Sequence, residues 1–259
     1  MEAIHDHRVR LSYCSDMAMT PQLEGKVAMV TGGSKGIGLA VASLLVEHGA
    51  RVVIGGRDSG RLATASAALE SSHASGASRI AWAQVDVRDP AQARECVALV
   101  ETRFGGLDIL VNSAGVGIFG EAADLTVEQW QTVVETNLHG VFYCCHAAIP
   151  ALRRRGGGWI VNISSLASKN PFPGGSAYCA SKAGLNALSE ILMQELRDDD
   201  IRVSDVLPGS VDTDFSRSGV GSDWKLTAGD VGRAVLDILA HERRSLPSRV
   251  EIRPSKPKR

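Results

Sequence analysis

The sequence predicts an α/β fold, a single domain built on a doubly wound parallel sheet of about seven strands. Short runs rich in β-branched residues alternate with longer helical patterns from residue 23 to the end of the chain. A strand followed by a helix and a further strand pairs in parallel through a right-handed crossover, which leaves helices on both faces of the sheet. The length of 259 residues suits one large domain, and no linker divides it.

The predicted elements follow one another in a regular order. Strands are predicted at 26–31, 51–55, 79–85, 108–112, 159–163, 201–207 and 249–253. Helices are predicted at 37–48, 59–71, from Pro90 onward, and at 126–153, 177–197 and 230–240. Ligands bind beyond the carboxyl ends of the strands in such sheets, so functional residues are expected directly after each strand.

Composition and charge exclude several classes of protein. Hydrophobic residues make up 44% and charged residues 22%, which is typical of a globular chain. The 28 basic and 29 acidic residues give a net charge of −1, so no nucleic-acid or membrane partner is expected. No uncharged apolar stretch reaches the ~18 residues that a membrane helix needs. Five cysteines without a CxxC pair indicate reduced thiols and a cytoplasmic location.

Residues 1–22 differ from the rest of the chain. They begin with a charged segment that lacks the apolar core of a secretory signal. We expect them to be a disordered N-terminal extension without a catalytic role, with the folded domain spanning residues 23–259. His5 and His7 of this segment are expected to be solvated, and no metal site is predicted.

A glycine-rich segment, Thr-Gly-Gly-Ser-Lys-Gly-Ile-Gly at 31–38, follows the first strand and opens the first helix. Glycines permit a tight turn and let backbone N–H groups approach a pyrophosphate at a helix N-terminus. The alternative is a glycine turn without a ligand, but the context of the first βαβ unit favours a dinucleotide site. The spacing of Gly32, Gly36 and Gly38 resembles the signature of the classical short-chain dehydrogenase/reductase family, which has a Rossmann-type fold.

The resemblance continues along the chain. Asp86 resembles the family aspartate that holds the adenine amino group, and residues 112–115 read Asn-Ser-Ala-Gly where the family has Asn-Asn-Ala-Gly. Pro208 and Gly209 resemble the family turn after which two residues meet the nicotinamide carboxamide. The implied cofactor contacts are Gly32, Ser34, Lys35, Gly36, Ile37, Gly38, Arg57, Asp86, Val87, Asn112, Ala114, Gly115, Tyr178, Lys182, Pro208, Gly209, Val211 and Thr213.

The end of the second strand favours NADP(H) over NAD(H). A site for NAD(H) places a carboxylate near Gly56 to bind the ribose hydroxyls, and none is present there. Lys35 and Arg57 instead supply two cations that suit a 2′-phosphate. The alternative is that each is an ordinary solvated charge. Asp58 is a competing carboxylate, which we expect to cap the following helix.

Four residues form the predicted catalytic group. Tyr178 and Lys182 are four residues apart on one helical face, and a nearby cation lowers the pKa of a phenol. A chance surface pair is the alternative for this motif taken alone. Ser165 precedes Tyr178 by thirteen residues, the family spacing, and is favoured over Ser164 to polarise a substrate carbonyl.

Asn137 completes this group by resemblance. It matches the family's helix asparagine, which helps to hold a water that relays protons to the lysine. The alternative is a mid-helix asparagine that bonds only to backbone. His139, two residues further on, is expected to be a packed histidine rather than a catalyst.

The predicted activity is an NADPH-dependent oxidoreductase that interconverts a carbonyl and a secondary alcohol of a small molecule, with Tyr178 as the general acid/base. One alternative is reduction of 3-oxoacyl groups on acyl carrier protein, which the carboxylates of Asp198, Asp199 and Asp200 oppose by repelling an acidic carrier. Another is a non-catalytic NADP(H)-binding sensor. The resemblance also implies a homo-oligomer, a dimer or a tetramer.

The substrate pocket is expected to be lined by loops 116–121, 166–176 and 214–227. These loops contain Ile118, Phe119, Phe172, Phe215 and Trp224, which favour an apolar or aromatic carbonyl compound. The alternative is that these side chains form a hydrophobic lid without a discriminating role.

Overall fold

A sheet of parallel strands crosses the centre of the protein. The computed structural model describes residues 23–72, 79–215 and 223–256, so the predicted N-terminal extension lies outside the described residues. The described strands are β1 (Val27–Thr31), β2 (Arg51–Gly56), β3 (Ile80–Gln84), β4 (Ile109–Asn112), β5 (Gly158–Ile163), β6 (Ile201–Pro208) and β7 (Arg249–Ile252). They form one seven-stranded sheet in the order β3-β2-β1-β4-β5-β6-β7, with every neighbouring pair parallel. The predicted fold class is confirmed.

Helices connect the strands and cover both faces of the sheet. They are α1 (Gly36–Glu47), α2 (Ser59–Ser72), α3 (Pro90–Phe104), α4 (Val127–Val134), α5 (Gly140–Arg154), α6 (Ser176–Glu195) and α7 (Ala228–Ala240). Their starts carry capping signals: the Asp89 side chain accepts hydrogen bonds from the N–H groups of Ala91 and Gln92, with Pro90 in the first turn of α3. Thr126 and Gln129 form a capping box at α4.

The sheet separates two hydrophobic cores. Ala28 and Val30 of β1 pack with α1, α2 and α7, whereas Val27 and Met29 of the same strand pack with α3, α5 and α6. All five residues of β1 are buried, which explains why this strand reads as a continuous apolar run rather than an alternating one.

The strand order reverses direction between β1 and β4. β1 pairs with β2 on one side and with β4 on the other, which opens a crevice beyond the carboxyl ends of the strands. One row of register partners runs across the sheet just below this crevice. We call it the polar row: Thr31, Asn112, Asn162, Asp205 and Arg249, one residue from each of β1, β4, β5, β6 and β7.

The helical pattern predicted at 126–153 is divided in the structure. A π-helical turn at Glu135–His139 separates α4 from α5. Such turns insert one extra residue into a helix and are frequent at functional sites. Other predicted boundaries differ by one or two residues: α7 begins at Ala228 rather than 230, α6 ends at Glu195 rather than 197, and β7 ends at Ile252 rather than 253.

Two further findings concern the described residues. None of the helices in this part of the chain combines the length and the apolar character that crossing a membrane requires. Cys96, Cys144, Cys145 and Cys179 are free thiols and buried. Cys14 lies outside the described residues.

Candidate active site

The glycine-rich segment forms a tight loop between β1 and α1. Gly32 has a φ of +67°, and a Cβ added there would lie 2.9 Å from backbone atoms of Ala114. A Cβ on Gly38 would lie 2.3 Å from the carbonyl oxygen of Gly32. Both positions therefore exclude a side chain. Lys35, at the N-cap of α1, makes no side-chain cap, so the first N–H groups of this helix are left available to an anion.

A cleft of about 1950 Å³ lies beyond the carboxyl ends of the strands. Most of the predicted site residues line it: Gly32, Ser34, Lys35, Gly36, Ile37, Gly38, Arg57, Asp86, Val87, Ala114, Gly115, Ser165, Tyr178, Lys182, Pro208, Gly209, Val211 and Thr213. Small-molecule pockets are typically ~300–1,000 Å³, so this cleft has room for a dinucleotide and a second molecule. Asn112 and Asn137 were predicted with this group but do not line the cleft.

Asn112 is buried beneath the cleft. Its Nδ2 donates hydrogen bonds to Oδ1 of Asn162 at 2.8 Å and to Sγ of Cys145 at 3.4 Å. The side chain of the last residue of β4 therefore points into the α5 face of the sheet and ties three elements together. The structure does not bring this amide to the wall of the cleft, because its hydrogen bonds hold it against β5 and α5.

Asn137 lies in the π-helical turn and is completely buried. Its Oδ1 accepts a hydrogen bond from the N–H of Val116 at 2.8 Å, and its Nδ2 donates to the carbonyl of Val116 at 2.9 Å. A Cβ on Gly115 would lie 3.4 Å from Oδ1 of Asn137 and 3.9 Å from Nζ of Lys182. The amide of Asn137 thus holds the loop after β4 in place. It lies close to Gly115, beside the ammonium of Lys182.

Lys182 extends from α6 into the cleft. Its Nζ donates a hydrogen bond to the carbonyl oxygen of Ile163 at 2.8 Å, and the residue is only 5% exposed. Burial lowers the pKa of Lys182 to about 8, and the negative charge of Asp205 opposes this change. The ammonium is therefore fixed in place at the end of β5 and close to losing its proton in mildly alkaline solution.

Tyr178 lies one helical turn before Lys182 and faces the same cleft. Burial raises the pKa of Tyr178, and a hydrogen bond with Ser165 opposes this rise. The predicted lowering of the pKa of Tyr178 is wrong for this structure, because the cost of desolvating a phenolate is the largest effect on the phenol and the net shift is upward. Tyr178 is accordingly protonated at neutral pH and can serve as a proton donor.

The two serines after β5 take different directions. Ser165 caps a 3₁₀ turn at Leu166–Ser168, accepting a hydrogen bond from the N–H of Ala167 at 3.1 Å, and also contacts Tyr178. Ser164 is buried, and its Oγ donates to Oδ1 of Asn186 at 2.5 Å. Ser165 is therefore the serine of this pair whose hydroxyl lies with the tyrosine.

Charged side chains surround the far end of the cleft. Nζ of Lys35 lies 3.3 Å from Oδ2 of Asp214, and both side chains are more than half exposed, so this ion pair is weak. Asp58 accepts a hydrogen bond from the N–H of Arg61 at 3.0 Å, which confirms its predicted role as a helix cap. The side chain of Arg57 is exposed beside them.

Asp86 has a partner that the sequence analysis did not anticipate. Arg88 donates to both carboxylate oxygens, with Nη2 at 2.6 Å from Oδ2. This guanidinium holds the pKa of Asp86 below its usual value. The carboxylate lines the cleft already paired, and its contact with an adenine stays a prediction.

The turn after β6 closes over the glycine loop. The N–H of Gly209 donates to the carbonyl of Ile252 at 2.8 Å, and the N–H of Asp212 donates to Leu226 at 2.7 Å. A Cβ on Gly36 would lie 3.6 Å from the methyl group of Thr213. Thr213 is thus held opposite the start of α1, and Val211, which pairs with Leu226, lines the same cleft.

Three phenylalanines form a wall around Tyr178, which we call the aromatic wall: Phe119, Phe172 and Phe215. The ring centres of Phe119 and Phe215 both lie 5.6 Å from that of Tyr178, and Phe172 lies 6.0 Å from Phe119. Phe215 packs on Gly117, where a Cβ would lie 2.6 Å from its Cζ. Trp224 also lines the cleft, whereas residues 216–222 of the predicted loop lie outside the described residues.

Sequence reasoning missed a polar layer behind the predicted catalytic group. Asn162 donates to Oγ of Ser189 at 2.8 Å, and Asn186 donates to Oγ of Ser168 at 2.7 Å. Asp205 lies in the same layer and is 1% exposed. The available signal was a polar residue in the middle of an otherwise apolar strand, at Asn162 in β5 and at Asp205 in β6.

Comparison with known proteins is consistent with this geometry. A family model described as short chain dehydrogenase matches residues 26–221. An uncharacterised oxidoreductase of Staphylococcus saprophyticus is 32% identical over 237 residues, which cover 90% of this chain and 99% of the relative. One of Staphylococcus aureus strain USA300 is 31% identical over 233 residues, covering 90% and 98%.

Solved structures are similar over the same range. An alcohol dehydrogenase from Thermococcus sibiricus, complexed with 5-hydroxy-NADP, superposes with a TM-score of 0.82 at 28% identity and covers 90% of this chain and 99% of that one. A short-chain type dehydrogenase/reductase from Mycobacterium ulcerans gives a TM-score of 0.83 at 28% identity, with 89% of each chain covered. The fold and these relatives define an oxidoreductase. The chain belongs to the short-chain dehydrogenase family.

Proposed function

We propose that this protein is an NADP(H)-dependent oxidoreductase that interconverts a carbonyl and a secondary alcohol of a small molecule. The observation that carries the proposal is the meeting of Ser165, Tyr178 and Lys182 in one cleft with the glycine loop. A proton donor, a fixed cation and a hydroxyl are the groups that stabilise charge on a substrate oxygen during reduction.

The residues present fit a dinucleotide. Gly32 and Gly38 let the loop pack tightly against neighbouring backbone, and the N-terminus of α1 has no side-chain cap, so its N–H groups are available to a pyrophosphate. Lys182 and Tyr178 would hold the ribose on the nicotinamide side. Val211 and Thr213 would contact the carboxamide. A bound nicotinamide supplies or accepts the hydride at the substrate carbon.

The protein's own groups handle the proton. In reduction, Tyr178 donates its phenolic proton to the substrate oxygen as that oxygen gains negative charge, and the resulting phenolate is stabilised by the ammonium of Lys182. The hydroxyl of Ser165 donates a hydrogen bond to the same oxygen. Asn137 holds the backbone of Val116 and keeps the loop after β4 in place beside the cleft. In oxidation the proton moves in the reverse direction.

Charge at the far end of the cleft supports a preference for NADP(H). Arg57 and Lys35 both line the cleft there, while the carboxylate of Asp58 is used in the cap of α2. A guanidinium binds phosphate through two parallel hydrogen bonds, and the lysine adds a point charge. A 2′-phosphate would compete with Asp214 for Lys35, at little cost because that ion pair is exposed.

The aromatic wall supports an apolar or aromatic carbonyl substrate. Phe172 and Phe215 are each nearly half exposed to the cleft, so their rings are available for contact with a ligand. Aromatic side chains bury large areas and favour offset or edge-to-face packing against other rings. A small uncharged ketone or aldehyde with a ring or branched chain fits this surface best.

We also propose a cellular location and an oligomeric state for the protein. We place the protein in the cytoplasm, in keeping with its buried free thiols. Assembly as a dimer or tetramer is supported by exposed apolar side chains on α4 and α6: Val127, Trp130 and Ile191.

The test is a panel of aromatic, branched and linear carbonyl compounds with NADPH, followed by the loss of its absorbance. The wild-type protein should turn over at least one compound, and Tyr178→Phe should lower kcat by ~10²–10⁴. A sensor that binds NADPH without chemistry would bind the dinucleotide and turn over nothing. Normal turnover by Tyr178→Phe would exclude the proposed proton donor.

A further inference from the structure

Asp205 is a buried carboxyl that the proposed mechanism does not use. It lies in β6, is 1% exposed, and its Oδ1 has no hydrogen-bond partner among the described residues. A buried polar atom left unpaired costs free energy, so such an atom in a folded protein calls for a physical explanation.

Two separate observations place Asp205 close to Lys182. Asp205 is the register partner of Asn162 on β5, and the next residue of β5, Ile163, provides the carbonyl that binds Nζ of Lys182. Asp205 also lies close to Ser189, which is on the same face of α6 as Lys182, two helical turns further along. The carboxyl and the ammonium share one buried layer between the sheet and α6.

The charged and titratable groups that face Asp205 come from every element packed against it. Lys182 approaches from α6 and Arg249 from β7, and both favour the carboxylate. The carboxylate also acts on Cys145 of α5. The thiol of Cys145 is neutral, because burial raises its pKa to about 12. Glu190 of α6 lies 3.8 Å from Arg249 and partly balances that cation.

We propose that Asp205 is a positioning residue for Lys182, whose carboxylate keeps the buried ammonium charged and aimed into the cleft. The role in catalysis rests on the proposed function, whereas the electrostatic coupling of the two residues does not. The negative charge of Asp205 opposes the loss of the proton that burial of Lys182 favours. The polar row thus contributes the negative charge of Asp205 to the same buried layer in which α6 contributes the positive charge of Lys182.

The pKa values of Asp205 and Lys182 both lie near neutral pH. Burial raises the pKa of Asp205 to about 7, and burial lowers the pKa of Lys182 to about 8. Both groups therefore titrate near neutral pH, where a change in the charge of one alters the pKa of the other.

The coupling can be measured on the full chain without substrate or dinucleotide. The lysines are labelled with ¹³C at Cε, and the Lys182 signal is assigned with a Lys182→Arg variant. In the wild-type protein the Lys182 signal should titrate in two steps, the first near pH 7 as Asp205 ionises. In Asp205→Asn the first step should vanish, and the midpoint of the main step should fall by about one pH unit.

Asp237→Asn is the matched control, because it removes the same charge from the exposed side of α7. It should leave both steps unchanged. A single step in the wild-type protein, or an unchanged midpoint in Asp205→Asn, would overturn the proposal. The two-step titration is recorded on the wild-type protein and uses Lys182→Arg only to assign the signal, so it decides the matter even if Asp205→Asn folds poorly.

Binding of NADPH, followed by its fluorescence, connects the coupling to the cleft. A fall of one pH unit in the Lys182 midpoint lowers the charged fraction at pH 8 about five-fold. Asp205→Asn should therefore bind NADPH more weakly than the wild-type protein at pH 8 and equally at pH 6. Equal affinity at both values would overturn the positioning role. Failure of the wild-type protein to bind NADPH at all would count against the proposed function and leave the NMR result standing.

Discussion

The hydroxyl of Ser164 donates a hydrogen bond of 2.5 Å to Oδ1 of Asn186, away from the tyrosine that its neighbour Ser165 contacts. Two adjacent serines at the end of one strand thus serve different parts of the molecule. Both serines line the cleft, but the hydroxyl of Ser164 is bonded to Asn186 of α6, whereas that of Ser165 contacts Tyr178. Replacing either serine by alanine removes the same hydroxyl group, but we expect one replacement to lower activity and the other to lower stability.

Ser165→Ala should lower kcat by ~10²–10³ on any substrate found in the carbonyl panel, because it removes a donor aimed at the reacting oxygen. Its melting temperature should stay close to that of the wild-type protein, since the hydroxyl is only partly buried. Ser164→Ala is the control, and it should lose ~1–3 kcal/mol of unfolding free energy and much less activity. Steady-state kinetics and thermal unfolding of both variants check this. A larger loss of kcat in Ser164→Ala would reverse the assignment.

Replacing Arg57 tests the choice of dinucleotide. Arg57→Leu should raise KM for NADPH by about ten-fold or more and change KM for NADH little, because a charge-assisted hydrogen bond contributes ~1.5–3 kcal/mol. Arg233→Leu, on the exposed side of α7, removes the same charge away from the cleft and should change neither constant. A wild-type protein that uses NADH better than NADPH would contradict the proposed preference.

The sequence was sufficient for features that depend on neighbouring residues. The glycine loop, the cap at Asp89 and the strand periodicity are local, and their positions agree with the structure to within one or two residues. The choice of Ser165 over Ser164 rested on spacing alone, and the hydrogen bonds of the two serines agree with it.

Features set by register and burial could not be read from the sequence in the same way. Asp205 lies 23 positions after Lys182, and their shared layer depends on the pairing of β5 with β6. The pKa of Tyr178 was predicted to fall because its cation was visible in the sequence, whereas the extent of its burial was not. The burial of the Asn112 and Asn137 amides could not be predicted for the same reason, since the sequence does not show which way a side chain points.

Phe172 and Phe142 offer a matched test of the aromatic wall. They are 45% and 44% exposed, but Phe172 lies in the cleft and Phe142 on the outer side of α5. Phe172→Ala should lower kcat/KM for a bulky aromatic ketone by about ten-fold, equal to the ~1.4 kcal/mol that a ring contact can supply. Small linear ketones should be affected less. Phe142→Ala should leave both rates unchanged, and an equal loss for all substrates in Phe172→Ala would point to a lid without discrimination.

The buried carboxyl of Asp205 should leave a signature in the pH dependence of stability. Burial raises the pKa of Asp205 from an ordinary value of 3.8 to about 7, so the folded protein binds this proton more tightly than the unfolded chain does. The resulting stabilisation is complete below pH ~4 and is lost as the pH rises through 7. The melting temperature of the wild-type protein should therefore fall more between pH 5 and pH 8 than that of Asp205→Asn, which cannot ionise. Asp237→Asn should follow the wild-type protein, because its carboxyl is exposed. Thermal unfolding in matched buffers measures the difference. Parallel curves for the wild-type protein and Asp205→Asn would mean that the carboxyl is ionised at little cost, and a fall that is steeper in the variant would contradict the sign of the shift.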